Sequence, residues 1–185
     1  MKNLLVTGYR AHELNIFSQK HKGVAFIKQA VKNRLVPLLE DGLEWVITPG
    51  QYGTDLWACE AALELKSSFP ELKVSIIAAY SDYTKDWKEE KKEYADQMIR
   101  QVDYYTALSK EPYSGPWQFA ARDQLLLRKT DGLLLFYDEE LGEASPKYLK
   151  EKALKKQNEE DYLIISISAE EIQSIADEQS FQLPD

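Results

Sequence analysis

The chain has 185 residues, 44% of them hydrophobic, which is enough for the core of one ordinary domain. Its 23 basic and 31 acidic residues leave a net charge of −8, which argues against general affinity for a nucleic-acid backbone, although a local basic patch is compatible with it. One cysteine, Cys59, excludes an intramolecular disulfide, and no apolar run approaches the ~18 residues needed to span a bilayer.

In chain order, hydrophobic runs alternate between strand and helix periodicity. Residues 2–7 predict a short apolar strand close to the amino terminus, with no signal or transit segment ahead of it, so a cytoplasmic location is expected. Residues 22–41 place Val24, Ile27, Val31, Leu35, Leu38 and Leu39 on one helical face. Pro37 lies inside this helix, where proline can kink it, and Gly42 terminates it. A strand at 44–48, a helix at 54–68 that stops before Pro70, and a strand at 72–79 follow. Cys59 falls in that second helix among Leu56, Ala58, Ala62 and Leu63, a packing position.

Residues 80–87 predict a loop, 88–101 a charged surface helix and 103–108 a fourth strand of mixed character. The turn formers from Lys110 to Pro116 lead into a helix at 117–129. The apolar run 132–137 suits a strand covered on both faces. A lysine-rich helix at 146–157, a strand at 162–167, an acidic helix at 169–178 and a polar tail at 178–185 complete the pattern. The expected class is α/β: a single Rossmann-like domain over 1–185, with a doubly wound, mostly parallel sheet and helices on both faces.

Two glycine-bearing turns stand where a strand hands over to a helix: Thr7-Gly8-Tyr9-Arg10 and Thr48-Pro49-Gly50-Gln51-Tyr52-Gly53-Thr54-Asp55. In a parallel sheet both emerge at the carboxyl ends of the strands, where such folds bind ligands. Glycine permits close backbone approach, and the helix start behind Gly53 offers unpaired N–H groups to an anion. The amides of Gln51 to Thr54 are therefore expected to surround a phosphate, with Arg10 pairing its oxygens and Asp55 accepting from a ribose. An ordinary turn at Gly8 with a solvated Arg10, and plain helix capping by Thr54 and Asp55, are the alternatives.

Arg122 lies mid-helix among residues suited to burial and needs an anionic partner, either Asp123, another acid or a bound phosphate. Trp117 could stack on a base or belong to the core. Ser145 before Pro146 reads as a helix N-cap whose amides could hold a second phosphate. His12 and His21 lack metal-ligand spacing, so no metal site is expected, and no catalytic triad is visible. Glu13, Glu60 and Asp138 are spare carboxylates that could act as acid or base.

The order of the early Thr-Gly-Tyr-Arg turn, the Gly50-x-x-Gly53-Thr54-Asp55 turn, and the Arg122-Asp-Gln helix before Asp131-Gly-Leu-Leu-Leu resembles the SLOG superfamily. That superfamily includes DprA and the LOG cytokinin-activating hydrolases. Asn33-Arg34-Leu35, Gly42-Leu43-Glu44-Trp45, Leu56-Trp57-Ala58, Asp86-Trp87-Lys88 and Ser145-Pro146-Lys147-Tyr148 are similar to its YpsA branch over nearly the whole chain. The resemblance implies a Rossmann-like fold that binds a nucleotide-derived ligand such as NAD or ADP-ribose, with a link to cell division. It puts the site on Gly8, Arg10, Gly50, Gly53, Thr54, Asp55 and Arg122. LOG hydrolases carry Pro-Gly-Gly-x-Gly-Thr-x-x-Glu; here Gln51 replaces a glycine and Trp57 stands at the glutamate position. The turn is closer to the Ser-Gly-x-x-x-Gly-Ile-Asp of DprA-like proteins.

The leading expectation is a nucleotide- or dinucleotide-binding sensor that passes its bound state to a protein partner. An N-glycosidase or phosphoribohydrolase using Asp55, or less readily Glu60, is the enzyme alternative. Single-stranded nucleic-acid binding of the DprA kind is the third, disfavoured by the negative charge.

Overall fold

A computed structural model describes residues 1–182. Six strands form one all-parallel sheet: β1 (Asn3–Gly8), β2 (Trp45–Thr48), β3 (Lys73–Tyr80), β4 (Tyr104–Ser109), β5 (Gly132–Phe136) and β6 (Leu163–Ile167). The helices between and after them are α1 (Lys22–Glu40), α2 (Thr54–Leu65), α3 (Glu89–Gln101), α4 (Trp117–Lys129), α5 (Pro146–Glu159) and α6 (Ala169–Gln182). This is the expected α/β, Rossmann-like arrangement. The predicted polar tail is helical as far as Gln182, and its last positions, 183–185, lie outside the described residues.

Strand order is β4-β3-β2-β1-β5-β6. The chain builds outward from β1 through β2 and β3 to β4, then returns across the sheet to β5 on the other side of β1. Right-handed crossovers therefore put α1 to α3 on one face and α4 and α5 on the other. Packing agrees, since α1 lies against α2 and α6, whereas α4 covers β3, β4 and β1 and also touches α5. The reversal between β1 and β5 opens a crevice at the carboxyl ends of these two strands. Leu5 pairs with Leu133 and Gly8 with Phe136, so the turn after β1 starts beside the end of β5.

Burial explains the strand sequences. Leu4, Leu5, Leu133, Leu134 and Leu135 are wholly inaccessible, as a central strand covered on both faces requires. The mixed character of residues 103–108 has a position as its cause: β4 is an edge strand, with Tyr104, Tyr105 and Leu108 exposed. Helix α1 runs continuously through Pro37, which lies near its end. Cys59 is buried within α2, and burial pushes its thiol well above the ordinary value. Among the described residues no helix is long and apolar enough to cross a membrane.

Candidate functional site

The turn after β1 and the turn before α2 are stitched together by their backbones. The amide of Ala11 donates to Tyr52 O at 3.0 Å and the amide of Thr54 to Tyr9 O at 3.0 Å, around an isolated antiparallel bridge between Arg10 and Gly53. Gly53 has φ +138, and a Cβ there would lie 2.5 Å from the Ala11 amide nitrogen. Gly50 has φ +82, with Ile76 Cγ2 and Tyr83 OH each 2.7 Å from a Cβ position. Both glycines are thus required by left-handed backbone and close packing inside the protein.

Asp55 ties the second turn to β1. Its Oδ1 accepts from Thr7 Oγ1 at 2.5 Å and its Oδ2 from the Gln51 amide at 2.9 Å. The expected ring of amides from Gln51 to Thr54 is accordingly corrected: Gln51 N–H serves Asp55 and Thr54 N–H serves Tyr9. Thr54 Oγ1 also donates to Tyr9 O, at 2.8 Å, and Gly53, not Thr54, is the N-cap of α2. Burial pushes the Asp55 carboxyl up to about 6, against the hydrogen bonds from Thr7 and Gln51 and the charges of Arg122 and Arg10.

Glu13, in a 3-10 turn at Ala11–Leu14, does for α5 what a bound anion was expected to do. Its Oε1 accepts from the Arg10 amide at 2.8 Å and from Ser145 Oγ at 2.7 Å, and its Oε2 accepts from the Ser145 amide at 2.8 Å. Ser145 is the N-cap of α5 by position, as expected, but it has φ −55 and ψ −33 and makes no side-chain capping bond, and its amide is corrected from free to engaged by Glu13. A carboxylate at a helix start takes the place of phosphate there. Burial acts to raise the Glu13 carboxyl, but the bonds from Ser145 and Arg10 outweigh it and hold the group below its ordinary value.

Between these turns lies a cavity of ≈ 70 Å³. It brings together Gly8, Arg10, Gln51 and Thr54 with Asp55, Arg122 and Ser145. Gly50, Gly53 and Trp117 are not in its wall; Trp117 is 55% exposed, beside Gly115. Residues that were not anticipated there include Thr7, Tyr9 and Asp123. Tyr9 is positioned by the segment just after β5, since its hydroxyl donates to Asp138 O at 3.0 Å and accepts from Asp138 N at 2.8 Å. The apolar run of β1 marked Thr7 as a strand residue without showing that its hydroxyl meets Asp55.

Arg122 is the distinctive group. It is only 8% exposed, and its Nη2 and Nε reach Asp123 Oδ1 at 2.9 and 3.2 Å. Its Nη1 is buried with no hydrogen-bond partner. The guanidinium carbons of Arg122 and Arg10 lie 5.2 and 6.0 Å from the Phe119 ring centroid, so one aromatic ring is within cation–π range of both cations. Arg10 has no carboxylate within ion-pair range among the described residues. A small polar hollow with two guanidinium groups, one of them incompletely bonded, is chemically suited to an oxyanion.

The other carboxylates have structural partners. Glu60 accepts from Tyr94 OH at 2.7 Å and lies 3.2 Å from Lys28 Nζ, while Asp138 accepts from the amides of Glu140 and Ala169. Trp57 is fully buried and donates to Gln19 Oε1 at 2.8 Å, away from the cavity wall. Among the described residues no group of three or more His, Cys, Asp or Glu could hold a metal ion.

Comparison with known proteins gives this arrangement a family. The model of the YpsA family, described as the YspA SLOG family, matches residues 4–172. A UPF0398 protein of Brevibacillus brevis is 45% identical over 99% of this chain and 97% of its own length. The UPF0398 protein YpsA of Bacillus subtilis is 42% identical over 98% of this chain and 100% of its own length. Among solved structures, the DNA processing protein A of Helicobacter pylori, described with a single-stranded DNA binding mode, superposes with a TM-score of 0.57. That match covers 99% of this chain and 82% of the other at 13% identity, a likeness of fold alone. Extensive identity to the UPF0398 proteins and a family match over residues 4–172 establish that the chain belongs to the YpsA family of SLOG proteins.

Proposed function

We propose that this protein is a cytoplasmic binder of a phosphate-bearing nucleotide metabolite of the AMP, ADP-ribose or NAD kind, acting as a sensor toward a protein partner. The observation that carries the reading is the unpartnered Arg122 Nη1, buried in the wall of a cavity that Arg10 also lines. A buried guanidinium nitrogen without an acceptor is costly, and a phosphate oxygen would satisfy it. The site lies in the crevice between β1 and β5, the ligand position of doubly wound sheets. Asp55 and Thr7 supply oxygens that can meet a sugar hydroxyl beside the phosphate.

Isothermal titration with AMP, ADP-ribose and NAD tests it. At least one should bind, and Arg122→Met should weaken that ligand by roughly ten- to a hundredfold, the scale of a charge-assisted hydrogen bond. The free Arg122→Met protein should melt below the parent, because the buried Asp123 loses its guanidinium partner, so affinity is compared at a temperature where both proteins are folded. No binding by any of the three would refute the reading.

A second reading, cleavage of an N-glycosidic bond, draws on the Asp55 carboxyl, which burial pushes up to about 6, into the range of a general acid. Both of its oxygens already accept hydrogen bonds inside the protein, which favours binding over turnover. Release of free base from AMP or NAD, lost in Asp55→Asn, would reverse that preference. A gel shift with single-stranded DNA at low salt tests the activity named for the Helicobacter pylori protein; the net charge of −8 weighs against it here.

A further inference from the structure

We infer that a groove adjoining the cavity is a second anionic subsite, so that the ligand carries two phosphate groups, one in each. This rests on the reading of the inner cavity as a phosphate site. At ≈ 70 Å³ that cavity holds about five water-sized volumes at the minimum of roughly 15 Å³ each, which suits one phosphate and not a whole nucleotide. The remainder of the ligand must leave it. Arg10, Gln51 and Tyr52 form a wall shared with a groove of ≈ 300 Å³, which Trp87, Lys88 and Lys91 also line. Arg10 thus stands between the two spaces.

The groove is cationic within an acidic chain. Lys28, Lys32, Lys66, Lys147 and Lys150 all pair with carboxylates. Among the described residues Arg10, Lys88 and Lys91 have no carboxylate within 4.0 Å, and Asp86 is the sole acid in the groove wall, which His12 completes. The floor is preformed. Tyr52 donates to Gln19 Oε1 at 2.8 Å and stands edge-on to Trp87, which stands edge-on to Tyr83. Lys91 Nζ lies 4.9 Å from the Tyr52 ring centroid, which holds this ammonium over the groove. Lys88 is the extended residue just before α3 and its side chain makes no capping bond, leaving its charge free for a ligand.

Titration of AMP and ADP against the full chain separates one phosphate from two. The wild type should bind ADP at least about tenfold more tightly than AMP, as one further charge-assisted contact would give. Lys88→Ala/Lys91→Ala should remove about tenfold from ADP while leaving AMP within about twofold. Lys85→Ala/Lys92→Ala removes the same charge from nearby positions outside the groove and should leave both ligands unchanged. An unchanged ADP affinity in Lys88→Ala/Lys91→Ala, an equal loss in the control pair, or AMP binding with no preference for ADP would each overturn the inference alone. Failure of AMP and ADP, together with ADP-ribose and NAD, to bind the wild type would overturn the underlying phosphate reading and the second subsite with it, whereas failure of AMP and ADP alone would overturn only the second subsite.

Discussion

Asp55 is a carboxylate on which burial and charge act in opposite directions. Two donors and two arginines favour its ionised form, yet its enclosure outweighs them and carries the group from its ordinary range up to about 6. Because the folded value exceeds the unfolded one, this residue's contribution to stability is complete below about pH 4. It is lost as pH rises through about 6 and changes little above that. Asp55→Asn does not titrate, so the stability difference between parent and variant isolates the effect. That difference should shift against the parent by up to roughly 3 kcal/mol between pH 4 and 6.5, measured by urea denaturation across the range. A difference that stays flat from pH 4 to 7 would contradict the burial argument. Asp55 was legible as a candidate site residue from Gly53-Thr54-Asp55, but its partner Thr7 lies 48 positions away, beyond the reach of local pattern. The glycines were legible as special backbone, and their cause was not. Gly53 yields to the Arg10–Ala11 backbone, a tertiary crossing that no spacing within its own turn encodes.

Elements were more readable than their junctions. Every strand and long helix follows from periodicity, and their boundaries move by a residue or a few, as helix ends fray and turns tighten. The 3-10 turn at Ala11–Leu14 is too short to carry a period, and the Ser145-Pro146 signal gives the N-cap position of α5 without telling whether the serine hydroxyl bonds its own helix or a distant group. What decides between them is Glu13, 132 positions from Ser145 in sequence. This carboxylate joins the turn after β1 to the start of α5, and so holds two walls of the cavity at a fixed separation. Glu13→Ala removes the acceptor of the Arg10 and Ser145 amides, and because water can reach the exposed Ser145 the cost should be about 0.5–1.5 kcal/mol at neutral pH, seen as a lower urea midpoint. The folded Glu13 lies below its ordinary value, so its contribution is present above the unfolded value and fades as pH falls through the folded one. The deficit of the variant should therefore shrink on acidification; a deficit that grows would exclude the clamp.

At the scale of the whole molecule, the cavity is a product of strand order. Segments around positions 7–10, 49–55, 122–123 and 145–149 meet because β1 lies between β2 and β5. The total charge of −8 was visible in composition, but not the concentration of Arg10, Arg122, Lys88 and Lys91 on one edge of an acidic protein. That distribution depends on which loops the doubly wound sheet gathers at its carboxyl end. A ligand held there must restrain four segments distant in sequence and leave both sheet edges untouched. Hydrogen exchange with a bound nucleotide should accordingly slow amides in the turn after β1, the turn before α2, the middle of α4 and the first turn of α5. Exchange along β4 and β6 should be unchanged, since these strands lie at opposite edges of the sheet, away from the crevice. Local opening is suppressed only where contacts differ between free and bound states, so the pattern reports the site directly. Protection confined to the lysine-bearing face of α5 with Arg128 of α4, where a separate groove lies, would move the ligand to the outer surface and leave the crevice without its assigned role.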